Sequence, residues 1–105
     1  DLLHVQDVAS ALVALLDSEV NGPVNIASGR PVALRDVIEA VARHAGAPGL
    51  VRLGSRPAPE NDPPLLLANI KRLRDEVGWT PRYDLEGGIE HTVNWWRERL
   101  DEDQR

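Results

Sequence analysis

A proline-rich polar segment, residues 54–64, holds the residue best suited to bind an anion. It contains four prolines together with glycine, serine and asparagine, and this composition rules out regular secondary structure. Arg56 lies in this segment, and a planar guanidinium can bind two phosphate oxygens at once. Arg56 is therefore the leading candidate for a binding residue, with an ordinary solvated loop arginine as the alternative.

The histidines are the next residues that could act in catalysis or bind a metal ion. An imidazole titrates near neutral pH and could serve as a general base, but His4 interrupts the apolar run from Leu2 to Val5. This placement favours a packed side chain or one beside a substrate. His44 and His91 are far apart and have no metal-spaced set of Cys, His or carboxylate residues, so no metal site is predicted.

Composition excludes several classes of function. The 105 residues suffice for one compact domain, and the formal net charge of −5 argues against binding to a phosphate backbone. No cysteine is present for disulfide or thiolate chemistry. The longest apolar runs fall well short of the roughly 20 residues that span a bilayer. We predict a cytoplasmic protein that binds neither nucleic acid nor membrane.

Short apolar runs and helical periodicities alternate along the chain. The predicted strands are Leu2 to Val5, Val24 to Ala27 and Leu50 to Leu53. The predicted helices are Val8 to about Asp17 capped by Asp7, Leu34 to about Ala45, a short one capped by Asn69, and a last one capped by Asp84. This order predicts an α/β fold. Because three short strands support a sheet poorly, we expect further strands before Asp1.

Three tryptophans and one turn have predicted structural roles. Trp79, Trp95 and Trp96 are expected to pack inside the protein rather than to stack on ligands. The Ser28-Gly29 sequence is expected to close the second strand as a structural turn.

Four segments in collinear order resemble the extended short-chain dehydrogenases that act on nucleotide sugars, a family of epimerases, 4,6-dehydratases and relatives. The segments are Asp1-Leu2-Leu3-His4-Val5-Gln6-Asp7-Val8-Ala9; Val24-Asn25-Ile26-Ala27-Ser28-Gly29; Arg56-Pro57 followed by Leu65 to Leu73; and Val77-Gly78-Trp79-Thr80-Pro81 with Leu85 to Ile89 and Thr92 to Trp96. Each segment alone is a weak signal, but their shared order makes coincidence improbable.

The resemblance implies a fold and a place within it. Residues 1–29 would be the last elements of a Rossmann domain, residues 30–100 the small α/β substrate-binding lobe, and residues 101–105 an acidic tail. The chain would thus combine the C-terminal part of a Rossmann-type sheet with the substrate lobe.

The resemblance also implies which functional groups this chain lacks. In the family, the N-terminal part binds NAD or NADP through a glycine-rich turn and carries a catalytic Tyr-x-x-x-Lys pair. Here Tyr83 is followed four residues later by Gly87, and Lys71 is preceded by Leu67. Since the glycine-rich turn is also absent from this sequence, we expect no cofactor binding and no catalysis by the chain alone.

Substrate-binding residues follow from the same resemblance. Arg56 would bind the substrate pyrophosphate, and Glu60 or Asp62 would bind the ribose hydroxyls, although Pro59 occupies the three-residue spacing. His4 would lie beside the substrate, since the family uses tyrosine for proton transfer.

Two functions remain open at this point. The first is the nucleotide-sugar-binding C-terminal portion of an NAD(P)-dependent epimerase or dehydratase, inactive alone. The second is a truncated non-catalytic module that binds a nucleotide sugar or a protein partner, with a homodimer also open.

Overall fold

The computed structural model describes residues 1–104, and its regular elements are helices. Helix α1 spans Val5–Leu16, α2 spans Leu34–His44 and α3 spans Leu85–Asp103. A 3₁₀ turn covers Pro48–Leu50 and a π-helical turn covers Leu73–Val77. The chain divides into two compact units: a first unit of residues 1–32 with 63–84, and a second unit of residues 33–62 with 85–104.

The predicted α/β fold is wrong for residues 1–104, which contain helices and no strand. The predicted strands that begin at Leu2 and Val24 form no hydrogen-bonded ladder. The third predicted strand was to begin at Leu50, which is instead the last residue of the 3₁₀ turn. A strand needs a neighbouring strand to bond its backbone groups. The turn after the second predicted strand bonds a side chain instead, because the Ser28 and Gly29 amides donate to the Asp1 carboxylate.

The first unit packs around α1 and the π-helical turn. Its buried residues Ala11 and Leu73 are fully covered, and Trp79 joins them with 8% of its surface exposed. The Trp79 indole donates a hydrogen bond to the Ser10 hydroxyl at 2.9 Å, which satisfies the polar end of an otherwise apolar ring. The packing prediction for Trp79 is therefore confirmed.

Helix α1 begins earlier than the sequence predicted. Its N-cap is His4, whose Nδ1 accepts a hydrogen bond from the Gln6 amide at 3.0 Å. Asp7, predicted as the cap, lies in the first turn and is 2% exposed. Aspartate is generally preferred to histidine as an N-cap residue. Here, however, Asp7 is buried within the first turn, so the helix begins one turn before the predicted start.

The π-helical turn has one of its two predicted end signals. Asn69 Oδ1 accepts a hydrogen bond from the Lys71 amide at 2.9 Å, but the turn begins at Leu73, and its N-cap Arg72 makes no side-chain capping bond. Gly78 ends the turn in the left-handed conformation, with φ of 79°, which glycine adopts without steric cost.

The second unit contains α2 and α3. The predicted α2 is confirmed, and its buried residues are Ala40 and Ala42. Near the end of α3, Trp95 and Trp96 are 43% and 55% exposed, with their rings in edge contact at 4.8 Å. Their predicted interior packing is therefore wrong. Among the helices of residues 1–104, none combines the length and apolarity that crossing a membrane requires.

Candidate functional site

The loop that contains Arg56 is open to solvent throughout residues 52–64. Arg56, Glu60 and Asp62 are all exposed, and their side chains form no hydrogen bond or ion pair within residues 1–104. The Asp62 amide donates to the Pro59 carbonyl at 3.2 Å and forms a turn between the two acidic residues. The loop therefore offers one guanidinium and two carboxylates whose hydrogen-bonding capacity is unused.

His4 lies in the first unit and has structural contacts of its own. Besides capping α1, its ring stacks on Tyr83 with the centroids 4.3 Å apart and the planes 23° apart. The Tyr83 hydroxyl donates to Gln6 Oε1 at 3.1 Å. The structure thus gives His4 a packing role, while its contact with a substrate stays a prediction.

Asp1 bonds residues that are far apart in sequence. Its carboxylate accepts hydrogen bonds from the Ser28 amide and hydroxyl, the Gly29 amide and the Ala68 amide, at 2.6 to 3.2 Å. Gly29 has a φ of 70°, but the strand that the Ser28-Gly29 turn was predicted to close is absent from residues 1–104. Sequence reasoning missed Asp1 because its partners are 27 to 67 residues away.

Asp7 has a comparable role, which sequence reasoning also missed. Its two oxygens accept the backbone amides of Arg82 and Tyr83 at 2.9 and 3.0 Å. One signal could have revealed it, because Asp7 precedes the buried Ala11 by four residues and so shares the inner face of α1.

An apolar groove of about 530 Å³ opens beside Asp1 in the first unit. Apart from Asp1, aliphatic residues line it: Leu2, Leu3, Val8, Ile26, Ala27, Leu66, Leu67 and Ala68. The one charged side chain at its edge, the Asp1 carboxylate, is already bonded to backbone amides, so the groove offers little to orient a polar ligand.

The last turn of α2 and the first turn of α3 hold an ion-pair cluster in the second unit. Glu86 accepts hydrogen bonds from the Arg43 guanidinium and, at 2.8 Å, pairs with His44 Nε2. Arg97 donates to the His44 carbonyl at 2.7 Å. The hydrogen bond from Arg43, and then that from His44, lowers the pKa of the Glu86 carboxyl.

The Glu86→Gln variant is expected to lose less stability than the native chain when the pH falls below 4.5. The Glu86 carboxyl has a lower pKa in the folded protein than its ordinary value of 4.5. Its ion pairs therefore stabilise the fold fully above pH 4.5, and this stabilisation is lost as the pH falls through the lowered pKa. The thermal unfolding temperature of the native chain should therefore decline more steeply below pH 4.5 than that of the variant.

Glu90→Gln serves as the matched control, since Glu90 is an exposed glutamate one turn later on α3. Salt should reduce the difference between Glu86→Gln and the native chain, because exposed ion pairs are screened. Equal acid sensitivity of the two variants would contradict the assignment to Glu86.

Neither α1 nor α2 begins with a glycine-rich turn. The phosphate-binding turn of the implied family joins a strand to a helix through glycines, whereas α1 follows His4 and α2 follows Ala33. Within residues 1–104, no group of three or more His, Cys, Asp and Glu side chains could hold a metal ion.

Comparison with known proteins supports the resemblance noted in the sequence. A UDP-glucose 4-epimerase of Rhizobium meliloti is 30% identical over 99 residues, which cover 90% of this chain and 30% of the epimerase. GDP-L-fucose synthase 1 of Arabidopsis thaliana is 36% identical over 98 residues, with 91% of this chain and 29% of the synthase covered. The chain is thus similar to enzymes of the UDP-glucose 4-epimerase and GDP-L-fucose synthase type.

Other comparisons define the extent of the match. UDP-glucuronic acid decarboxylase 1 of Xenopus tropicalis is 26% identical over 93% of this chain and 23% of its own length. The match falls in the C-terminal portion of such enzymes, and the chain spans about 30% of the length of the first relatives. No family model matches the chain, and no solved structure matches it significantly.

The family motifs coincide with bonds that hold the first unit together. The first two motifs contain Asp1, Ser28 and Gly29, which bond one another. The third contains Ala68, which also donates to Asp1, and the fourth contains Trp79, which donates to Ser10 beside the first motif. These motif residues therefore help to hold the first unit together.

Proposed function

We propose that this chain is the nucleotide-sugar-binding C-terminal portion of an NAD(P)-dependent epimerase or dehydratase, inactive by itself, with Arg56 as the residue that binds the substrate diphosphate. One observation carries the proposal: Arg56 is an exposed guanidinium without a partner in residues 1–104, in a chain whose relatives act on UDP- and GDP-sugars by name.

The chemistry of the loop suits a nucleotide sugar. A guanidinium binds phosphate oxygens bidentately, and these charge-assisted bonds are stronger than neutral ones. Glu60 and Asp62, four and six residues after Arg56, can accept hydrogen bonds from ribose hydroxyls. Binding the nucleotide, which does not react, orients the sugar for the reacting centre.

Arg56→Ala is expected to weaken UDP-glucose binding about tenfold, which corresponds to roughly 1.4 kcal/mol. The reason is the loss of two charge-assisted hydrogen bonds in an exposed loop, where water offsets most of their strength. For the 105-residue chain we expect a Kd on the order of 1 mM, measured by shifts of backbone amide NMR signals during titration.

Arg52→Ala provides the matched control, because Arg52 is another exposed arginine of the same loop region without a partner in the described residues. A specific diphosphate site predicts little change for Arg52→Ala. If both variants lose affinity equally, only the net charge of the loop attracts the ligand. Turnover of UDP-glucose by the chain with added NAD would contradict the claim that it is inactive alone.

A further inference from the structure

Asn21 and Gly22 form an exposed Asn-Gly sequence whose potentially reactive groups have no partner. Both residues are exposed, and Gly22 has a φ of 85°, which glycine adopts without steric cost. Within residues 1–104 the Asn21 side chain forms no hydrogen bond, and the Gly22 backbone amide donates none. The side-chain amide carbon of Asn21 and the main-chain nitrogen that follows it are therefore both accessible.

The other asparagines lack one or more of these features. The side chains of Asn25 and Asn69 are bonded, and Asn94 lies inside α3, where intrahelical bonds hold the backbone amides. Asn61 is exposed and its side chain has no partner in the described residues, but the amide of the next residue donates to a carbonyl at 3.2 Å. Asn61 is therefore the natural comparison for Asn21.

We propose that Asn21 is a site of spontaneous covalent modification, at which its side-chain amide is lost. Asparagine is among the thermally labile residues of proteins, and glycine at the next position places no Cβ beside the reacting nitrogen. Hydroxide removes the Gly22 amide proton, the nitrogen attacks Asn21 Cγ, and a succinimide ring forms as the Cγ–Nδ2 bond breaks. The departing nitrogen takes a proton from water, leaves as ammonia and regenerates hydroxide.

Water then opens one of the two carbon–nitrogen bonds of the ring. Opening at Cγ gives aspartate with an ordinary main chain. Opening at the former main-chain carbonyl carbon gives isoaspartate, in which the main chain passes through the former side chain. Both products replace a neutral amide by a carboxylate, so each event makes the net charge of −5 more negative.

Arg72 connects this site to the π-helical turn of the first unit. Its guanidinium donates to the Asn21 carbonyl through Nη2 and to the Pro23 carbonyl through Nη1, each at 2.8 Å. Isoaspartate lengthens the main chain and turns the first of these carbonyls into a carboxylate on a branch, so the paired geometry of the two bonds is lost. The modification therefore loosens residues 21–23 from Arg72. It does not depend on the proposed function, because the Arg56 loop takes no part.

Incubation of the intact chain at mildly alkaline pH, followed by peptide mass spectrometry, tests the site. We expect Asn21 to lose its amide roughly tenfold faster than Asn61, which corresponds to about 1.4 kcal/mol in activation free energy. Chromatography of the peptides should separate isoaspartate from aspartate and show both. An Asn21 that stays intact, or equal rates at the two asparagines, would overturn the proposal.

Urea denaturation of fresh and incubated chains, followed by tryptophan fluorescence, tests the consequence. We expect the incubated native chain to unfold at a urea concentration lower by on the order of 0.5 M. Asn21→Gln is the matched control, because its longer side chain closes a ring less readily, and incubation should leave its midpoint unchanged. In Arg72→Ala the two bonds are already absent, so fresh and incubated midpoints should coincide. Equal shifts in the native chain and in either variant, or a modified native chain with an unchanged midpoint, would overturn the loosening from Arg72.

Discussion

Asp7→Ala is expected to lower the free energy of unfolding of the first unit by about 3 kcal/mol. The substitution leaves the Arg82 and Tyr83 amides without the carboxylate that accepts them at 2.9 and 3.0 Å. Hydrogen bonds to a charged group contribute about 1.5–3 kcal/mol each, and this gain is partly offset by the cost of burying the carboxylate. The last residues of the first unit would lose their anchor on α1.

Urea denaturation followed by Trp79 fluorescence measures this change, in a background where Trp95 and Trp96 are replaced by phenylalanine. Trp79 is then the sole tryptophan and lies in the core of the first unit. Asp7→Asn keeps one acceptor oxygen and should lose about half as much stability. Asp17→Ala removes an exposed carboxylate as the control, and a loss as small for Asp7→Ala as for Asp17→Ala would contradict the anchoring role.

Gly29→Ala is expected to cost about 2 kcal/mol of stability, for two reasons. Gly29 has a φ of 70°, which an L-residue adopts only with strain. A Cβ built there would also lie 2.7 Å from Ile70 Cγ1 and 2.8 Å from Cδ1. Ile70 packs against the buried core, so relieving the clash would disturb other contacts.

Gly78→Ala, also in the first unit, separates the two causes. Gly78 has a similar φ of 79°, but a Cβ there meets no atom within 4 Å. The same denaturation experiment should show about 1 kcal/mol for this variant, from backbone strain alone. If Ile70→Ala restores part of the stability lost by Gly29→Ala, the close approach is the cause, whereas equal losses at the two glycines would exclude it.

The motifs that resemble the family contain residues of two kinds. Asp1, Ser28, Gly29 and Trp79 bond one another or neighbouring elements. Arg56, which begins the third motif, and the two acidic residues after it lie in an exposed loop without such bonds. Substitutions of the bonded motif residues are therefore expected to affect stability, and substitutions in the loop are expected to affect ligand affinity.

The sequence by itself determined the presence of the helices most reliably. The periodicity of residues 34–45 predicted α2, and Gly78 marked the C-terminal end of the π-helical turn. These features depend on bonds and steric limits within a few residues, which local sequence specifies. The collinear motifs likewise predicted the similarity to nucleotide-sugar enzymes that the comparisons found, because residue types and their order along the chain suffice for such a resemblance.

Only the tertiary structure decided whether the extended segments pair with one another and which backbone amides the Asp1 and Asp7 carboxylates bind. Apolar runs such as residues 24–27 carry strand propensity, but a strand forms only when another segment supplies the ladder, and none does so in residues 1–104. Asp1 and Asp7 accept amides up to 67 and 76 residues away. Contacts at such separations depend on how the whole chain packs, and a single sequence does not show that packing.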